Sequence, residues 1–81
     1  MTEQILKRIT IDPKIMVGKP VIKGTRIPVE LVVKLVANGT TEEDILKDYP
    51  QLTKADIKAS LLYAAKLVGN EEIYPVASSE A

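Results

Sequence analysis

Two prolines eight residues apart, Pro20 and Pro28, constrain this chain more than any other feature. Between them run Val21-Ile22, then Lys23-Gly24-Thr25, then Arg26-Ile27. Proline has no backbone donor, so strand pairing is expected to stop at each of them. Gly24 supplies the positive φ that a three-residue hairpin loop needs. Gly18 to Val29 therefore reads as a tight basic hairpin that feeds straight into a helix.

Eighty-one residues make one small domain, with no room for a catalytic cleft between two lobes. Below ~80 residues a single core supplies only a few kcal/mol, so a staple or a partner subunit is expected. The chain has no cysteine and no histidine, which removes disulfides and leaves no ligands suited to a structural zinc. A homodimer is the remaining common route. Eleven bases balance eleven acids, but unevenly along the chain. Residues 1–39 carry seven bases against three acids, a net +4, and residues 40–81 carry four against eight, a net −4. This asymmetry points to one anion-facing end and one end suited to a basic partner, or else to scattered solvating charge. No apolar run approaches ~18 residues, and Met1–Thr10 lacks the apolar stretch of an export signal. The expectation is a cytoplasmic protein with no membrane contact.

Ile9 and Ile11 alternate with Arg8, Thr10 and Asp12, the period of a half-buried strand. Pro13 to Gly18 is expected to form a turn that carries Ile15 and Met16 inward. A first helix should begin at Pro28 and close at Asn38-Gly39, with glycine in the left-handed position after the last turn. Only Glu30, Lys34 and Asn38 interrupt its apolar residues, so it should be buried on most sides. Thr40 and Thr41 offer two overlapping starts for a short acidic second helix ending near Asp48, before Pro50. Thr53 caps a third helix, with Asp56 at the third position. An apolar stripe Ile57, Leu61, Ala64, Val68 runs to Gly69. The expected fold is mainly α: a trihelical helix-turn-helix (homeodomain-like) core with a short N-terminal strand and hairpin. It should occupy residues 1–69, followed by a C-terminal tail over 70–81.

Catalysis is not expected. The most versatile general base and nucleophile are absent, and the adjacent acids Glu42, Glu43 and Asp44 are explained by their place in a first helical turn. Neither phosphate-loop glycine pattern occurs, and no cofactor or metal is expected. In a helix-turn-helix the third helix lies in the major groove of DNA, which here presents Gln51, Thr53, Lys54 and Lys58. Lys54 and Lys58 share a face; they are groove-contacting residues or simply the wet side of a packed helix. Arg8, Lys19, Lys23 and Arg26 on the strand and hairpin are further candidates for phosphate contacts. Arg26, held between prolines, is the best single one, unless it bonds carbonyls inside the fold. In the tail, Ile73-Tyr74-Pro75-Val76 is an apolar cluster suited to a protein partner.

Ile9-Thr10-Ile11-Asp12-Pro13, Gly18-Lys19-Pro20, Ile22 to Val29, Glu43 to Leu46 and Tyr49-Pro50-Gln51-Leu52-Thr53 together resemble the domain-of-unknown-function family 433. Asp56-Ile57 and Leu62-Tyr63-Ala64 extend the likeness, which spans nearly everything from Ile9 to Val68. The resemblance implies a small bacterial or archaeal protein with a homeodomain-like fold. It further implies a cytoplasmic, dimeric, DNA-binding regulator that acts as an antitoxin toward a PIN-like nuclease. A dimeric protein-interaction module that does not bind DNA is the alternative.

Overall fold

The computed structural model describes residues 2–69. The expected tail, with Ile73 to Val76, lies outside them. The elements in order are α1 (Thr2–Leu6), β1 (Ile9–Ile11), β2 (Pro20–Ile22), α2 (Val29–Ala37), α3 (Glu42–Asp48) and α4 (Lys54–Gly69). The fold is mainly helical: α2, α3 and α4 form the trihelical helix-turn-helix, and β1 and β2 form a small antiparallel sheet.

β2 pairs with β1, in the register Ile9–Ile22, Thr10–Val21, Ile11–Pro20. The hairpin expected within the proline-fenced segment shrinks to a turn and one bridge, between Val21 and Pro28. Thr25 is the physical reason. Its hydroxyl donates to the Ile22 carbonyl (2.8 Å) and accepts from the Ile27 N–H (2.9 Å), a group a second strand would need. Gly24 has φ +83°, as the turn requires. Pairing nevertheless stops at both prolines, as expected: Pro28 closes the bridge and Pro20 ends the ladder. Pro20 opens β2 opposite Ile11, a first-residue position where its missing donor costs nothing.

Ile22, Ile27, Val32, Ile45, Leu52 and Ile57 form the buried core, so every stretch from the sheet to α4 contributes to it. Pro28 stands just before α2 in extended conformation, and Gly39 (φ +87°) follows its C-cap Asn38. Within one chain α2 is less covered than its sequence suggests. Only Val29 and Val32 are buried; Leu31, Val33, Leu35 and Val36 are half-buried. For α3 the structure selects Thr41, whose hydroxyl accepts from the Asp44 N–H (3.1 Å).

Two expectations fail outright. The buried face of α4 is Asp56, Ile57, Ala59 and Ser60, whereas Leu61 and Val68 of the expected stripe are exposed. Small residues let α1 and α2 approach closely there, and the Ser60 hydroxyl is satisfied by the Asp56 carbonyl (3.0 Å). Met16 does not turn inward either. Met16, Val17 and Gly18 all have left-handed backbone (φ 52°, 56° and 81°), which pushes Val17 almost fully into solvent, 93% exposed.

A candidate nucleic-acid interface at the start of the last helix

α4 begins with a reciprocal cap. The Thr53 hydroxyl accepts from the Asp56 N–H (3.2 Å), and the Asp56 carboxylate accepts from the Thr53 N–H (2.9 Å). Two otherwise orphaned donors of the first turn are thereby satisfied. The second carboxylate oxygen of Asp56 accepts from Arg8 Nη1 at 3.1 Å. Asp56 is 6% exposed, so its charge is lodged between a helix terminus and a guanidinium, both of which favour it. Arg8, 46% exposed at its side chain, is thus held over the start of α4 with much of its surface still in water.

Two shallow clefts flank this point. Gln4, Lys7, Arg8, Lys23 and Asp56 line one; Ile15, Gly24, Thr25, Arg26 and Gln51 line the other. A backbone bond from the Lys23 N–H to the Arg8 carbonyl (2.7 Å) ties the β2 end to the segment before β1. The Thr25 bonds fix the turn from which Arg26 projects, exposed to solvent. Arg8, Lys23, Arg26 and Gln51, drawn from three separate stretches of sequence, are therefore gathered around the N-terminus of α4. Lys54 and Lys58 continue the exposed side of that helix.

Two expected residues stand apart from the others. Lys19 lies 3.4 Å from Glu30 of α2, which Lys34 also approaches at 3.8 Å. The Thr53 hydroxyl is engaged as the helix cap. Lys7, Gln4 and the Arg8–Asp56 pair were not anticipated. Asp56 carried a signal only as a third-position cap, and nothing in five residues of α1 foretells that they pack on α4. Among the described residues no group of side chains is arranged to hold a metal, and no helix is long and apolar enough to cross a membrane.

This geometry lies almost wholly within residues 9–64, which match the family described as "Protein of unknown function (DUF433)". The chain belongs to the DUF433 family. A crystal structure of a DUF433 member from Anabaena variabilis superposes with a TM-score of 0.73 at 29% identity, covering 84% of this chain and 67% of that one. The uncharacterized protein y4eO of Sinorhizobium fredii is 39% identical over 56 residues, 69% of this chain. The chain spans only a quarter (25%) of that relative's length. An uncharacterized protein of Archaeoglobus fulgidus is 60% identical over 30 residues, 37% of this chain and 83% of its own. Of the gathered side chains, Lys23, Arg26 and Gln51 fall inside the DUF433 match and Arg8 immediately precedes it.

Proposed function

We propose that this DUF433 protein is a dimeric, non-enzymatic DNA-binding regulator that lays the start of α4 into the major groove. The gathering of Arg8, Lys23 and Arg26 at that helix terminus is the observation that carries the reading. The terminus is also where a helix-turn-helix meets base edges. The three cations suit phosphates on either side of the groove, and Gln51 and Lys54 are placed to reach bases. Two copies would present two such helices to half-sites about one DNA turn apart. The antitoxin role implied by the family resemblance completes the proposal: the acidic C-terminal half would engage a basic PIN-like nuclease. The test is gel retardation of the DNA upstream of the protein's own gene at low salt, with and without that nuclease. Lys54→Glu with Lys58→Glu should abolish the shift; the absence of any shift by the unaltered protein rejects the reading.

The acidity of α3 favours a second reading. Glu42, Glu43, Asp44 and Asp48 are all exposed on the helix that would cross the sugar–phosphate backbone. Repulsion there suits a module that docks a basic protein and leaves DNA alone. Under that reading the Lys54→Glu, Lys58→Glu protein keeps its cellular function, while substitutions in Ile73 to Val76 abolish it.

A further inference from the structure

Among the described residues β1 has only one strand neighbour. The Lys23 N–H to Arg8 carbonyl bond fixes the alternation of the antiparallel ladder, so Arg8 and Thr10 turn their backbone groups toward β2. Ile9 and Ile11 turn theirs to the open edge. β1 lines a groove of ≈ 490 Å³ together with Leu6 and with Tyr63 and Leu67 of α4. Ile11 is 56% exposed and Leu67 50%, an apolar lining beside strand donors and acceptors that no described residue pairs. Lys66 stands on the rim and has no carboxylate within salt-bridge distance among the described residues.

We propose that this groove is the seat of the chain's own C-terminal segment, Glu71-Glu72-Ile73-Tyr74-Pro75-Val76, laid as an added strand along β1. The inference goes beyond the DNA-binding reading and does not rest on it. Three properties of the segment match the groove. It starts two residues after Gly69, and Leu67, in the last turn of that helix, already lines the groove. Six extended residues reach about 20 Å, longer than the three-residue β1 needs. Its Ile, Tyr and Val side chains suit strand addition over an apolar floor, and Pro75 is tolerated on an edge strand. Its two glutamates precede the apolar cluster, on the side nearest Lys66 in sequence. A protein partner that captures Ile73 to Val76 would at the same time uncover the β1 edge and the groove.

Amide hydrogen exchange on the full-length protein tests this at Ile9 and Ile11, whose N–H groups β2 does not engage. Both amides should exchange at least about 10-fold more slowly in the unaltered chain than in Ile73→Pro, with Val32 and Ile57 unchanged. Lys66→Glu should speed their exchange, and Lys66→Glu with Glu72→Lys should restore it. Equal rates in the unaltered and Ile73→Pro proteins overturn the proposal. So does protection that grows with protein concentration, which would place another copy on the edge.

Discussion

Replacing Asp56 by alanine removes three interactions with one carboxylate: the bond from the Thr53 N–H, the ion pair with Arg8 and the favourable charge at a helix start. The cap contribution is about 1 kcal/mol by analogy with other capping residues. The Arg8 pair is buried on one side only, 46% against 8% exposed, so solvent screening holds its share to about 1 kcal/mol. Asp56→Ala should therefore cost about 2 kcal/mol, which for a domain of this size lowers Tm by about 8–16 °C. Arg8→Ala alone should cost only about 1 kcal/mol, because the carboxylate keeps its bond to Thr53. A thermal and urea denaturation series on the two single variants and the double variant yields a coupling energy near 1 kcal/mol. An Asp56→Ala protein within about 0.5 kcal/mol of the parent would refute the reasoning, since it would place the helix start and Arg8 beyond the influence of this carboxylate.

Val17→Gly should stabilise the protein by about 0.5–1 kcal/mol in the same denaturation assay. A β-branched residue at φ +56° is strained and this one contacts little, so a loss of stability would contradict the backbone assignment. Gly24→Val should cost about 1–2 kcal/mol through the same conformational penalty at φ +83°, although nothing lies within 4 Å of the added Cβ. Lys34→Glu, at a residue that approaches Glu30 and lines neither cleft of the gathered cations, should leave DNA retardation unchanged, whereas Lys23→Glu should weaken it at least about 10-fold.

The parts of the fold written in local chemistry were legible beforehand. Gly39 after Asn38, Thr53 with Asp56, Pro50 after Tyr49 and the acids at the start of α3 act over three or four residues, and each stands where its chemistry predicts. What the sequence concealed depends on distant partners. Ile22 pairs with Ile9 across twelve intervening residues, a partner that no turn chemistry within three or four residues can name. Ala59 and Ser60 sit on the buried side of α4 because α1 and α2 press against it, a demand for small volume that an apolar periodicity does not register. The candidate site divides in the same way. Gln51 and Lys54 could be placed from the turn that precedes α4. The convergence of Arg8 with Lys23 and Asp56 required a contact 48 residues long in sequence. Lys19 and Lys23 are equivalent on the chain, yet Lys19, just before β2, lies beside Glu30 of α2.

The most direct test of the account is the salt dependence of binding to a duplex carrying the upstream DNA, followed by fluorescence anisotropy. Log affinity should fall linearly with log salt concentration, and removing Lys23 and Arg26 together should reduce the steepness by about 2, nearly one for each lost phosphate contact. An affinity that is insensitive to salt, or a slope identical in the Lys23→Ala, Arg26→Ala protein, would contradict the assignment of this surface to DNA.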